Sequence, residues 1–199
     1  MARLTQEAAL TKYEHIKQFL FDSAELCEDQ KNGLRALFDH LDKETNWLLA
    51  PASTRFHNSF DGGLLQHSIN VVNAALQIKK SLAPDLSDAS IIIIALLHDC
   101  GKHNAYKRKD PTPRQQQFGY PGSIGVNEDI PYMEHEDRSL VTIMRYYPYL
   151  TDEEFCAIAQ HNEPWLTTTS QFKPNRYMTI LQNADYWSCM YLDDPGDKY

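Results

Sequence analysis

Apolar residues recur at helical spacing along most of this chain. Such spacing predicts amphipathic helices, because residues three and four positions apart lie on the same face of a helix. Very little of the chain shows the alternating pattern of a half-buried strand. The sequence therefore predicts an all-α protein, with helical stretches at residues 5–22, 30–49, 64–82, 87–101, 135–147, 152–161 and 174–190.

Local signals mark several of the predicted helix ends. Pro51 and the pair Gly62 and Gly63 interrupt the pattern between the second and third helices, and Pro84 closes the third. The stretch "TDEE" at residues 151–154 has the form of a capping box, in which a hydroxyl and a carboxylate accept hydrogen bonds from backbone N–H groups at the helix start. These signals define the helices independently of the apolar spacing.

Residues 103–133 have a different character. They contain four prolines, three consecutive glutamines and the basic cluster "KRKDPTPR". Loops of this length are usually functional, so we expect a lid-like loop here. A chain of 199 residues suits one domain. We therefore predict a single domain over 1–199, with an N-terminal helical extension over 1–50 and a core over 51–190.

Composition and charge restrict the class of protein. The formal net charge of −8 excludes a general nucleic-acid coat or a membrane-surface protein, which would need a basic face, although a local basic patch stays open. No apolar run approaches the roughly 20 residues that span a bilayer, and the N-terminus lacks an apolar segment of signal-peptide type. Four scattered cysteines indicate reduced thiols. We expect a cytoplasmic protein without a membrane partner.

The candidate chemistry begins in the stretch "IIIIALLHDCGK", where an aliphatic run ends in His98 and Asp99. Three more histidines and one more aspartate lie in apolar surroundings on other predicted helices: His67, His135, His161 and Asp185. A buried, unpaired carboxylate costs several kcal/mol, so Asp185 needs a cation or a cluster of donors. Six residues of this kind on five helices favour a shared metal site. Imidazole and carboxylate suit Mn, Fe, Co, Ni or Zn, whereas structural zinc would need cysteine pairs.

The order of these residues resembles that of the HD-domain phosphohydrolase superfamily. The resemblance rests on "GGLLQHS", "ALLHDCGK" and Asp185, and His135 and His161 match the subset that has a two-metal pattern. "RFHNSFDGGLLQHSINVV" is similar to the HD modules of certain 3′→5′ exoribonucleases and conjugative relaxases. "YMEHEDRS", followed by "LTDEEFCAIAQHNEP", is similar to compact HD hydrolases of bacteria and phages. The resemblance covers residues 50–190 and implies a helical HD-domain bundle.

The resemblance also implies a ligand set and a reaction. One metal would be held by His67, His98, Asp99 and Asp185, and a second by His135 and His161, with Asp99 bridging the two. Both would be divalent metal ions. The transition metals Mn, Fe, Co or Ni are preferred, and Mg or Zn is left open. A metal-activated hydroxide would then cleave a phosphoester of a nucleotide or short oligonucleotide.

Basic residues near this pattern are candidates for binding substrate phosphate. The resemblance implies that Lys102 contacts phosphate and, with Asp99, takes part in catalysis by neutralising developing charge. The alternative is a solvated lysine that favours the end of a helix dipole. We predict substrate contacts for Lys107, Arg108 and Arg138 as well, although such basic runs are often only solvated.

Several aromatic residues and histidines have two interpretations. Tyr120, Tyr132, Trp165 and Tyr186 would either stack on a nucleobase or serve in packing. His57 would either contact substrate or support a metal ligand, and His103 follows Lys102 closely enough to approach the site. His15 and His40 are interpreted as surface residues.

Two other functions use the same pattern. Some HD-fold proteins with these six ligands, resembling inositol oxygenase, use a di-iron pair to activate oxygen. A non-catalytic nucleotide-binding module is the other alternative. The basic segment favours hydrolysis of a small phosphate ester or of short single-stranded nucleic acid. The resemblance also leaves open a homo-oligomer formed through the N-terminal helices.

Overall fold

The structure is a computed structural model of the chain, and it describes residues 3–120, 122–163 and 175–195. Within these residues the fold is an all-α bundle with one very small sheet, which confirms the predicted all-α fold class. The α-helices are α1 (Gln6–Asp22), α2 (Glu28–Glu44), α3 (Gly63–Leu82), α4 (Asp88–Leu97), α5 (Pro113–Gln117), α6 (His135–Tyr146), α7 (Asp152–Ala159) and α8 (Arg176–Trp187).

Three predicted helix ends were wrong. The second predicted helix ran to residue 49, but α2 ends at Glu44, where the Thr45 hydroxyl accepts a hydrogen bond from Trp47 N at 3.0 Å and turns the chain. The fourth ran to residue 101, but α4 ends at Leu97 and a 3₁₀ turn follows at Cys100–Lys102. A π-helical turn, Ser188–Leu192, similarly replaces the end of the last predicted helix.

The segment 103–133 is more ordered than a loop. Strand β1 (Tyr106–Arg108) pairs antiparallel with β2 (Ile124–Val126). Helix α5 lies between them and starts with Pro113 behind a capping box formed by Thr112 and Gln115. The predicted lid-like loop thus contains regular elements, whose β pairing and helix capping supply hydrogen bonds that the polar composition did not reveal. Movement of this hairpin over a site stays a prediction.

The core is continuous across the bundle. Helix α3 packs against both α4 and α8, and α6 packs against the 3₁₀ turn. Tyr13 of α1 and Leu37 of α2 belong to the same buried cluster as Ile93 of α4 and Leu181 of α8. The N-terminal helices therefore share the core with the rest of the bundle. The predicted division into extension, core and lid stays a prediction.

Helix α4 is the most apolar of these helices, and every residue from Ile91 to Leu97 is buried. Full burial explains why its sequence has no polar face. Helix α4 has 10 residues, and none of the helices in the described part of the chain combines the length and apolar character that crossing a membrane requires.

Local structure fixes the starts of α3 and α7, the helices that position His67 and His161. Gly62 precedes α3 with φ of 84°, a left-handed conformation that favours glycine. At the start of α7, Glu154 N donates to Thr151 Oγ1 at 3.2 Å, and Thr151 N donates to Glu154 Oε2 at 2.7 Å. This confirms the capping box that the sequence predicted.

Candidate active site

The fold brings all six predicted metal ligands together. His67 lies on α3, and His98 and Asp99 follow the end of α4. His135 is the first residue of α6, His161 follows α7, and Asp185 lies on α8. Five separate elements thus converge on one cluster, as the sequence analysis expected.

Asp99 lies at the centre of the cluster, and its two oxygens face different histidines. Oδ2 lies 3.5 Å from Nε2 of His67 and 3.5 Å from Nε2 of His98. Oδ1 lies 3.3 Å from Nε2 of His135 and 3.6 Å from Nε2 of His161. One carboxylate therefore connects two pairs of imidazoles.

Asp185 completes one of these two groups. Its Oδ1 lies 3.2 Å from Nε2 of His67 and 3.9 Å from Nε2 of His98. The His98, His161 and Asp185 donor atoms also lie within 4.8 Å of one another. A cation bound between these atoms would meet imidazole nitrogens and carboxylate oxygens, a donor set that suits divalent transition metals.

Backbone carbonyls fix the orientation of two of the imidazoles. Nδ1 of His98 lies 2.8 Å from Ala95 O, and Nδ1 of His161 lies 2.8 Å from Ile158 O. A carbonyl oxygen only accepts, so Nδ1 carries the proton in both rings and Nε2 faces Asp99. Metal-binding histidines commonly have this arrangement, in which the second nitrogen donates to a carbonyl or carboxylate.

Three buried polar atoms at the centre lack a hydrogen-bond partner among the described residues: Nε2 of His67, Nε2 of His98 and Oδ1 of Asp99. Buried polar atoms are normally satisfied, and leaving one unpaired costs about 1–3 kcal/mol. All three are potential metal ligands that face the same small region. The residues present therefore fit a divalent cation.

The electrostatics of His98 and of the two carboxylates agree with this fit. Burial lowers the pKa of His98 to about 3, so its imidazole is neutral near pH 7, as a metal ligand must be. Burial opposes the charge on Asp99, but Lys102 and His98 outweigh it and hold the pKa of Asp99 well below its usual range. Burial would also raise the pKa of Asp185, yet His67 lowers it. Both carboxylates are therefore anionic and attract cations. Burial disfavours the charge on His67, but Asp193 and Asp185 outweigh it and raise its pKa to about 10, so His67 has to release a proton when a cation binds.

The comparison with known proteins agrees with the geometry. The sequence profile of the HD domain family matches residues 64–188, which is more than half of the chain. This chain belongs to the HD domain family. The finer resemblance to the two-metal subset and to exoribonuclease modules stays a prediction.

One curated relative matches a part of this chain. It is the dihydroneopterin 2′,3′-cyclic phosphate phosphodiesterase of Methanocaldococcus jannaschii, 38% identical over 65 residues. The matched segment covers 31% of this chain and 26% of that protein, so the chain spans only about a quarter of the relative's length. No solved structure matches the chain.

The candidate catalytic lysine lies at the centre of the HD site. Nζ of Lys102 lies 2.6 Å from Oδ2 of Asp99, and its side chain is 12% exposed. Burial disfavours the charge on Lys102, but Asp99 more than compensates and raises its pKa above the ordinary lysine value. Lys102 is therefore a cation fixed beside the proposed bridging carboxylate.

The other predicted phosphate-binding residues are engaged elsewhere. Lys107 pairs with Asp129 at 2.7 Å, Arg108 pairs with Asp61 at 2.9 Å, and Arg138 donates to Pro131 O at 2.7 Å. Their contact with substrate stays a prediction.

The aromatic candidates are dispersed. Tyr132 and Tyr186 are exposed, Tyr120 lines a groove described below, and Trp165 lies outside the described residues.

Three residues lie behind His67. Sequence reasoning considered His57 as a support for a metal ligand but missed Asp193 and Cys189. Oδ2 of Asp193 lies 2.7 Å from Nδ1 of His67, and the rings of His57 and His67 have centroids 4.9 Å apart. Cys189 Sγ lies 3.5 Å from Oδ1 of Asp185. Asp193 belongs to a short acidic tail in the sequence, and no local pattern separated it from the other carboxylates there.

A groove of about 1510 Å³ reaches this group from the surface. His57, Cys189 and Asp193 line its inner part, whereas its outer part carries arginines and aromatic rings. The arginines are Arg3, Arg55 and Arg108, and the rings include Phe56, Tyr120 and Tyr191. These three rings are 62%, 64% and 58% exposed. Asp61 also lines the groove and pairs with Arg108, so the remaining positive charge comes from Arg3 and Arg55. The groove therefore combines this charge with flat apolar surfaces next to the residues that support the ligands.

Proposed function

We propose that this HD protein is a metal-dependent hydrolase of phosphate esters. The observation that carries the proposal is Asp99, whose two oxygens each face a separate pair of histidine Nε2 atoms. His67, His98, Asp99 and Asp185 would hold one divalent ion, and His135 and His161 would hold a second together with Asp99. Mn, Fe, Co or Ni suits these donors best, and Mg or Zn is also compatible with them.

Metal ions bound at these residues would supply Lewis-acid polarisation of a phosphoryl oxygen and would lower the pKa of water toward neutrality. The protein's own groups would do the rest. Lys102 would neutralise negative charge that develops on the phosphoryl oxygens, because it is held as a cation 2.6 Å from Asp99. The buried helix α4 would keep His98 and Asp99 rigid, because all of its residues from Ile91 onward are buried.

A nucleotide or short oligonucleotide is the substrate class we propose. Exposed aromatic rings stack on nucleobases, and arginine pairs with phosphate through planar, charge-assisted hydrogen bonds. The groove beside the cluster presents both groups. Its volume of about 1510 Å³ exceeds the roughly 300–1,000 Å³ of common small-ligand pockets, so it has room for more than a mononucleotide. The relative from Methanocaldococcus jannaschii is named as a phosphodiesterase of dihydroneopterin 2′,3′-cyclic phosphate, which is also a small phosphate ester.

The experiment that tests this proposal is a hydrolysis panel with the full chain. The panel would contain nucleoside mono-, di- and triphosphates, 3′,5′- and 2′,3′-cyclic nucleotides and short RNA, each supplied with Mn²⁺, Co²⁺, Ni²⁺, Fe²⁺ or Mg²⁺. We expect metal-dependent release of product from at least one class, and its loss when His98 and Asp99 are both replaced by Ala.

Failure of the fully metal-loaded protein to cleave any substrate would overturn the proposal. Oxygen consumption by the anaerobically iron-loaded protein would then favour the di-iron oxygenase. Tight nucleotide binding without turnover or oxygen consumption would instead favour the binding module.

Arg55 offers a test of the groove. We expect Arg55→Ala to raise KM for the best nucleotide substrate by about tenfold and to leave kcat nearly unchanged, because one charge-assisted contact made equally in substrate and transition state is lost. Steady-state kinetics would measure both values. Arg35→Ala is a matched control, since each arginine lies over a phenylalanine ring, at 5.3 Å for Arg55 and 5.1 Å for Arg35, but Arg35 lies on α2. Equal KM values for the two variants would contradict a role of the groove.

A further inference from the structure

Nδ1 of His67 faces a buried group of polar residues that does not belong to the proposed ligand set. We propose that Asp193 is a positioning residue that holds the His67 ring with its metal-facing nitrogen free, and that Asn58 and Asn70 hold Asp193 in turn. This inference rests on the proposed metal centre, but it concerns how this chain builds that centre.

The contact between Asp193 and His67 is short and fully buried. Oδ2 of Asp193 lies 2.7 Å from Nδ1 of His67, and neither side chain is exposed. A carboxylate accepts a hydrogen bond from imidazole N–H, so Nδ1 carries the proton. The other nitrogen, Nε2, then faces Asp99 and Asp185 at 3.5 and 3.2 Å and is the atom that would bind a metal. A carboxylate behind a metal-binding histidine commonly has this effect.

The second oxygen of Asp193 is occupied as well. Oδ1 accepts hydrogen bonds from Nδ2 of Asn58 at 3.0 Å and from Nδ2 of Asn70 at 2.8 Å. Both asparagines are buried. With two amide donors on one oxygen and His67 on the other, the carboxylate has a single orientation that satisfies all of its partners.

Hydrogen bonds of the backbone also join the turn at Asn58 to the chain that follows α8. Asn58 N donates to Asp194 O at 2.8 Å, and Asp194 N donates to Oδ1 of Asn58 at 2.7 Å. Asn58 has φ of 45°, a left-handed conformation that asparagine adopts more readily than most other non-glycine residues. The π-helical turn Ser188–Leu192 also helps to fix the position of Asp193, because Asp193 N donates to Ser188 O at 2.9 Å. The turn at Asn58 and the chain after α8 are therefore locked together behind His67.

Asn58 and Asp193 both lie outside residues 64–188, the range that the HD domain family profile matches. The six proposed ligands all lie inside that range. This chain thus adds a support for its first histidine from segments on either side of the matched region, and the HD motif alone would not reveal it.

The test is Asp193→Asn in the full chain, with Mn²⁺ affinity measured by calorimetry. An asparagine has one acceptor and one NH₂ group in place of the two oxygens. If its oxygen accepts from Asn58 and Asn70, its NH₂ faces Nδ1 of His67 and moves the ring proton to Nε2, where the metal should bind. If the asparagine side chain instead turns over, its NH₂ group faces the Nδ2 donors of Asn58 and Asn70, and these donors lose their acceptor. We expect Mn²⁺ to bind about 10- to 100-fold more weakly, with the helical circular dichroism unchanged.

Asn70→Ala is the matched control. It removes one donor to Asp193 but keeps the carboxylate on His67, so we expect a much smaller loss of Mn²⁺ affinity. Equal losses in the two variants, or an unchanged affinity in Asp193→Asn, would overturn the proposal.

A second measurement does not depend on the folding of a variant. In the zinc-loaded wild-type protein with ¹⁵N-labelled histidine, we expect the His67 ring proton on Nδ1. A proton on Nε2 would overturn the assignment. Mn²⁺ binding is measured without substrate, so failure of the hydrolysis panel would leave this inference standing, and an unchanged affinity would leave the proposed reaction standing.

Discussion

Asp99→Asn should reduce metal-dependent hydrolysis by roughly a hundred- to a thousandfold or more. The substitution removes one negative charge and replaces one oxygen by an NH₂ group. Whichever way the amide turns, one of the two histidine pairs faces a donor in place of a ligand oxygen. Both proposed metal positions depend on this single carboxylate, so the bound metal measured by elemental analysis should fall together with activity.

The effect should be specific to the site. Asp39→Asn is a suitable control, because Asp39 also pairs with a lysine, at 2.9 Å from Lys43, but both side chains are about 70% exposed. We expect it to change unfolding free energy by less than about 0.5 kcal/mol and to leave metal content unchanged. Full metal content and normal turnover in Asp99→Asn would contradict the bridging role.

Gly101→Ala should disrupt both stability and the metal site. A Cβ at this position would lie 2.3 Å from Ser139 N, 2.5 Å from His135 O and 2.7 Å from the carbonyl carbon of Arg138. All three are backbone atoms of α6, so the clash cannot be relieved by a side-chain rotation. We expect a loss of about 1–3 kcal/mol of unfolding free energy, measured by denaturant titration.

The same clash should weaken metal binding, because His135 is the first residue of α6 and must move away from Asp99. Gly33→Ala is the matched control. Its Cβ would press on the last turn of the same helix, 2.9 Å from Tyr146 O, at the end opposite His135. We expect normal metal affinity in that variant. Normal metal affinity in Gly101→Ala as well would show that the close packing of Gly101 does not position His135.

The identity of the six proposed ligands could be predicted from the sequence for a physical reason. Histidines and aspartates in apolar surroundings are costly unless they have a partner, so their presence on several apolar helices is informative. Lys102, by contrast, was proposed from the family resemblance, because it follows Asp99 within one turn. Helical spacing and the capping box at Thr151 similarly depend on neighbours only a few residues apart, and the structure confirmed them.

The hairpin in residues 103–133 could not be predicted in this way. Its two strands have three residues each, too few for an alternating pattern to be recognised. Their hydrogen bonds join residues about twenty positions apart, and the pairing of Lys107 with Asp129 and of Arg108 with Asp61 neutralises charges that looked available for substrate. The partners of Lys107 and Arg108 lie far from them along the chain, so the basic cluster "KRKDPTPR" by itself could not show which of its charges are paired.

The sequence by itself determined that the chain is helical, that it carries the HD pattern, and which side chains are candidates to hold metal. Each of these depends on residue type and on local spacing. The tertiary structure alone decided that Asp99 presents one oxygen to each pair of histidines, and that Asp193 supports His67 across 126 positions of the chain. Such contacts depend on how separate helices pack, and a carboxylate in an acidic tail has no local feature that indicates which buried imidazole it will meet.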